Sequence, residues 1–277
     1  MDDKPTIRTA LIFIFFTFMI TWAINIPLAL AAHHQIKFSV PRWVEITSTL
    51  SPGIVALSII ICRCKEAGLK TLLTKILKWR VNYRWYLFAL LIPVVCVVPS
   101  LCIYLYILHK PLDLSEWYLP LILFFIFIPF SPLWEEIGWR GFLLPILQDK
   151  FRPLTAAVIL GLIWGIWHIP MYLTHNPEGS RTQLFLVYFI IGTVPITILF
   201  VWLYNKTESL LITIFFHAAI NATFALFGKV PTGELRPFIY TMIFFTIAAT
   251  GISWKTKAFL GQAKTRYKAP ICNVPPG

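Results

Sequence analysis

Long apolar stretches alternate with short polar ones along this chain, and the apolar stretches are too long for the core helices of a soluble domain. They run over residues 9–32, 44–62, 85–108, 118–147, 154–173, 184–204, 209–227 and 238–254. About 18 or more apolar residues with few charges suffice to cross the ~30 Å hydrocarbon layer as an α-helix. Backbone N–H and C=O groups find no water there, so each span is expected to be helical. The pattern predicts an all-α, polytopic membrane protein with eight transmembrane helices, forming a single domain over residues 1–277. Within it, Ser51-Pro52-Gly53 should kink the second span.

Two segments depart from the pattern. Over 63–84, Leu69, Leu72, Leu73, Ile76 and Leu77 repeat at helical spacing opposite Lys70, Lys75 and Lys78. This predicts an amphipathic helix lying on the membrane surface. Residues 255–277 form a basic tail ending Pro-Pro-Gly, expected to be disordered. The first apolar run closes on Ala29-Leu30-Ala31, which imitates a signal-peptidase site. Its length, with Asn25 and Pro27 inside it, reads instead as a retained helix.

Composition agrees: 58% of residues are hydrophobic and 13% charged, which excludes a soluble domain of this size. A net charge of +12 would suit a nucleic-acid partner, but no basic stripe interleaved with aromatics lies outside the membrane-flanking loops. The positive-inside rule accounts for the charge better. With eight spans and the N-terminus inside, the inner segments hold Lys4, Arg8, seven basic residues in 63–84, Lys150, Arg152, Lys206 and five in the tail. The outer segments hold Lys37, Arg42, Lys110, Arg181, Lys229 and Arg236. Both termini are therefore expected in the cytoplasm. The five cysteines match no pairing framework or zinc-ribbon spacing and read as free thiols.

Against this background, Ser131-Pro-Leu-Trp-Glu-Glu-Ile-Gly-Trp-Arg-Gly141 puts three charges inside a hydrophobic helix. Each costs ~2.5–3.5 kcal/mol at the bilayer centre on insertion scales, and such residues face a protein interior or a wet cavity. Glu136 and Arg140 are four apart and share a helix face, which predicts an ion pair. Glu135 is rotated by about 100° and is left over for chemistry. Two later spans carry polar pairs at the same spacing: Trp164 with His168, and His217 with Asn221. On continuous helices Glu135 and His168 both lie ~21–22 Å from the turn at 149–153, and so come level. A cluster of Glu135, Glu136, Arg140, His168, His217 and Asn221 is expected. It should line a wet cavity open to the cytoplasm, with Phe142, Trp164 and Phe216 in its walls.

The order E-E-x-x-x-R, aromatic-x-x-x-H and H-x-x-x-N on three membrane helices resembles the three motifs of the CPBP family. These are the CAAX prenyl proteases and bacteriocin-processing proteins, also called Abi proteases. The motifs span about 118–227, and the family's usual phenylalanine in the second is Trp164 here, a change that keeps aromatic bulk. The resemblance implies an intramembrane endopeptidase acting on the C-terminal tripeptide of prenylated proteins or a related hydrophobic peptide. It implies that Glu135 activates water with the help of His168, that His217 and Asn221 stabilise the oxyanion, and that Glu136 and Arg140 support them.

The chemistry fits independently. Hydrolysis needs a base to hold water and donors facing the developing oxyanion. Glu135, His168 and His217 would also suffice as three ligands of a catalytic zinc, although H-E-x-x-H is absent. Metal-free and zinc-dependent versions both stay open at this point. A transporter or an immunity protein with a buried polar cluster is the rival from another class. A transporter would bring inverted repeats, which the sequence lacks.

Overall fold

The computed structural model describes residues 5–111, 115–175, 181–230 and 234–262, and every regular element among them is helical. Residues 263–277, most of the basic tail, lie outside this set.

Six helical stretches are long and apolar enough to cross a membrane: Ile7–Ala32, Tyr83–Ile107, Pro153–Thr174, Phe189–Thr207, Leu210–Gly228 and Arg236–Lys255. A seventh crossing is available if Leu119–Phe127 and Pro132–Lys150, which meet at 51°, are taken as one span. Eight crossings are not established, and the reason lies in the second expected span. Helix α2 (Arg42–Ser48) stops at Thr49–Leu50, and α3 (Ser51–Ile76) restarts with Pro52 in its first turn, where a missing N–H costs nothing. The backbone of α3 then breaks at Lys65, where φ is 51°. The intervening piece is roughly 21 Å long, less than the hydrocarbon thickness.

The fourth expected span is broken as well. Helix α5 (Leu119–Phe127) ends before Pro129 and Pro132, each of which removes a backbone donor. Helix α6 (Pro132–Glu136) then runs into a π-helical segment, Ile137–Leu143, and on into α7 (Leu144–Lys150). Single π turns inside α-helices frequently mark functional sites. Their wider turns advance less per residue, so Glu135 stands nearer the 151–152 turn than a continuous α-helix would place it.

Helix α8 (Pro153–Trp167) packs along α10 (Arg181–Thr207), while α11 (Leu210–Phe224) lies between α5 and α4 (Tyr83–Ile107). Helix α12 (Arg236–Lys255) covers α4 and α10, and α1 (Ile7–Ala32) runs beside α3 and α9 (Ile169–His175). Small residues let these backbones approach closely, as membrane helix packing requires. A Cβ on Gly138 would fall 2.5 Å from Pro52 Cβ and 2.7 Å from the Pro52 carbonyl. One on Gly165 would fall 2.6 Å from Thr193 Oγ1 and 3.0 Å from Ile190 Cα. The core is aromatic, with Phe13, Trp139, Phe142, Trp167, Phe200 and Phe216 fully enclosed. Phe125, Ile247 and Trp254 point outward, as expected of side chains facing lipid.

The amphipathic segment is tied to the bundle on one side. Leu72 is buried, Lys75 Nζ lies 2.9 Å from the Tyr204 hydroxyl, and Ser209 Oγ donates to the Lys78 carbonyl at 2.6 Å. Leu73, Leu77 and Trp79 stay exposed on the other side. The free-thiol expectation is corrected at one position. Cys62, Cys96 and Cys102 are free, but Cys64 is disulfide-bonded, which C-x-C spacing alone gave no ground to foresee.

Candidate active site

The π turn and the hairpin after it carry the charged motif into the centre of the bundle. Glu136 and Arg140 form the expected pair, with Nη1 2.8 Å from Oε1 and both side chains fully buried. The same oxygen also accepts from His217 Nδ1 at 2.9 Å, which ties α11 to α6. The Arg140 guanidinium sits between two aromatic rings, 3.8 Å from the Phe200 centroid and 4.7 Å from that of Trp164. Cation–π attraction in a desolvated site is worth ~2 kcal/mol, which helps offset the burial of this charge.

Glu135 is held differently. Ser131 Oγ donates to its Oε1 at 2.6 Å and Trp164 Nε1 to its Oε2 at 2.8 Å. Among the described residues it has no ion-pair partner, so the predicted division between a paired and a spare carboxylate is what the structure contains. Ser131 stands one helical turn before Glu135, and a serine at that spacing is the signal that could have marked it as a donor.

His168 sits where α8 ends and α9 begins. Its backbone N–H tightens onto the Gly165 carbonyl at 3.2 Å, and Pro170 follows. The Trp164 carbonyl is taken instead by the His168 ring, whose Nδ1 donates to it at 2.8 Å. A carbonyl can only accept, so this contact places the ring proton on Nδ1 and leaves the Nε2 lone pair available for a proton. Trp167 steadies the junction. Its indole donates to Thr21 Oγ1 at 3.0 Å, its carbonyl accepts from Trp22 Nε1 at 3.0 Å, and its ring packs 4.6 Å from His168. Nothing in the spacing of Thr21 or Trp22 pointed to this anchoring.

Trp164 is the hub, with its ring centroid 5.2 Å from that of His168 and 5.5 Å from that of His217. Four of the six expected residues, Glu135, Arg140, His168 and His217, thus converge on one indole, and Glu136 joins them through Arg140 and His217. The sixth, Asn221, follows His217 by one turn and is half-buried; its amide makes no hydrogen bond among the described residues. The expected cavity walls are not as foreseen. Phe142 and Phe216 are fully enclosed, Phe142 against Phe13 and Phe216 against Phe200, and neither touches solvent. His168, 7% exposed, is the most open of the charged and histidine residues here. Zinc fits this arrangement poorly. Among the described residues no three His, Cys, Asp or Glu side chains are grouped to hold a metal ion.

Fold and site together define an integral, multi-pass helical membrane protein with a buried carboxylate–histidine centre. Residues 116–223 match the family described as Type II CAAX prenyl endopeptidase Rce1-like. A stretch of 130 residues is 27% identical to CAAX prenyl protease 2 of Methanococcus maripaludis, covering 45% of this chain and 47% of that protein. Residues 116–223 hold all three motifs, and over that segment the chain is similar to this family. The match spans about half the length of the relative.

Proposed function

We propose that the chain is an intramembrane endopeptidase of CAAX prenyl protease type, which hydrolyses a peptide bond near the C-terminus of prenylated proteins or of a related hydrophobic peptide. The observation that carries this reading is the Glu135 carboxylate. It is buried, held by two neutral donors, and free of the ion pair that occupies its neighbour. A structural salt bridge needs only one of the two glutamates, and Glu136 supplies it.

In this mechanism Glu135 takes a proton from water as the water attacks the scissile carbonyl. His168 receives that proton from Glu135 on Nε2, the ring nitrogen its backbone contact leaves unprotonated, and passes it to the leaving amine. His217 and Asn221 donate to the oxyanion from the facing helix. Because His217 Nδ1 already donates to Glu136, donation from Nε2 as well requires a ring carrying both protons. Glu136 and Arg140 hold His217 and Trp164 in place, and no step needs a metal ion.

The substrate chain would rest among apolar helices in the bilayer, where a prenyl group partitions readily. On the basic-residue count, the N-terminus, the 63–84 segment and the C-terminus all face the cytoplasm. That arrangement requires α2 and the first half of α3 to complete an eighth crossing together. Purified protein incubated with a farnesylated fluorogenic peptide and with its unprenylated twin tests the reading. Cleavage of the first, at least ten-fold faster than of the second, is expected; cleavage of neither would overturn it.

A further inference from the structure

Both oxygens of the Glu135 carboxylate are engaged, by donors that come from different elements. Ser131, at the N-cap of α6, donates to one at 2.6 Å, and Trp164, in the last turn of α8, donates to the other at 2.8 Å. The terminal torsion of a glutamate is broad and roughly two-fold, so an untethered carboxylate has no fixed plane. Two donors on opposite oxygens set that plane. A carboxylate offers about four lone-pair sites, so two remain for a water molecule.

Trp164 has little freedom to do otherwise. Its ring is packed by the Arg140 guanidinium at 4.7 Å, His168 at 5.2 Å, His217 at 5.5 Å and Phe200 at 6.0 Å. We infer that Trp164 and Ser131 are positioning residues for Glu135: their hydrogen bonds fix the plane of the carboxylate and hold its free lone pairs toward the attacking water. The indole N–H is what sets this chain apart from the phenylalanine usual at this place in the motif. A phenylalanine would keep the ring contacts and donate nothing. The inference rests on the endopeptidase reading and adds to it the way the base is held.

The other titratable or charged groups around Glu135 are Glu136 and Arg140 from its own segment, His168 and Tyr172 from α8 and α9, and His217 from α11. Trp164→Phe and Ser131→Ala leave all of them in place.

The test compares the full-length wild type, Trp164→Phe, Ser131→Ala and the double variant, in one detergent, on the farnesylated peptide. Melting temperatures are measured alongside. Trp164→Phe should lower kcat by about ten-fold with KM changed less than about two-fold. Ser131→Ala should act in the same direction, and the double variant should exceed both. Ser131→Ala removes a single hydroxyl and decides the matter alone if Trp164→Phe does not fold. Folded variants whose kcat matches the wild type would overturn the inference, as would a fall in kcat matched by an equal rise in KM or by a fall in melting temperature, which marks a merely structural role. A wild type that cleaves no peptide removes the endopeptidase reading itself, and this inference with it.

Discussion

His217 Nδ1 lies 2.9 Å from Glu136 Oε1, joining α11 to α6 across 81 residues of sequence inside a region from which solvent is excluded. Arg140 reaches the same oxygen from the following turn, so one carboxylate organises two cations or potential cations. This knot fixes the relative placement of the helices that carry the three motifs. Its members are therefore expected to be costly to remove singly.

Arg140→Ala leaves Glu136 buried with a partner missing. Breaking a buried pair by removing one member costs about 3–5 kcal/mol, whereas replacing both with apolar groups is often far milder. Denaturant or thermal unfolding in detergent should show a large loss for Arg140→Ala. The double change Glu136→Leu with Arg140→Met should lose less than the sum of the two single changes. A strictly additive double variant would contradict the coupling.

Asn221 offers the cleanest separation of chemistry from structure. Its amide is half-buried and makes no hydrogen bond among the described residues, so Asn221→Ala should change stability by less than about 0.5 kcal/mol. As an oxyanion donor its loss should lower kcat by ~10²-fold. Peptide turnover and melting temperature measured on one preparation check both halves.

Gly138 sits where α3 and the π turn touch backbone to backbone, and a methyl group there would meet the Pro52 backbone within 2.7 Å. Neither side can yield as a flexible side chain could. Gly138→Ala should destabilise by about 1–3 kcal/mol, the usual cost of overpacking, and lower the folded yield in membranes. Unchanged yield and melting temperature would mean the two segments separate more easily than this contact implies.

Orientation can be read by labelling. Lys70 is well exposed, unlike Lys75, whose Nζ is held by Tyr204. On a background with Cys62 and Cys102 changed to serine, Lys70→Cys should resist an impermeant thiol reagent added outside intact cells and react after lysis. Labelling from outside would reverse the proposed topology.

Much of this was legible in the chain. Apolar runs announce membrane helices because lipid demands them, and i, i+4 spacing announced the Glu136–Arg140 pair because helical geometry allows nothing else so close. What stayed hidden depends on local backbone departures. The π turn at Ile137–Leu143 has no simple sequence signal. Pro129 and Pro132 were visible, but the length of the apolar run masked the bend they impose. Pro52 and Gly53 did mark a break, yet the chain already interrupts the helix at Thr49–Leu50, so one expected span became two pieces. The substitution at Trp164 read as aromatic bulk, since hydropathy ignores the single N–H that reaches Glu135. Phe142 and Phe216 were placed around a cavity from their motif positions, and packing put them in the core instead.

The central claim is that Glu135 is the base. Glu135→Gln preserves shape and can still accept from Ser131 and Trp164 through its amide oxygen, but it cannot take a proton from water. Measured on the farnesylated peptide in a preparation whose melting temperature matches the wild type, turnover should fall by at least ~10²-fold. A folded Glu135→Gln protein that cleaves at close to the wild-type rate would contradict the account.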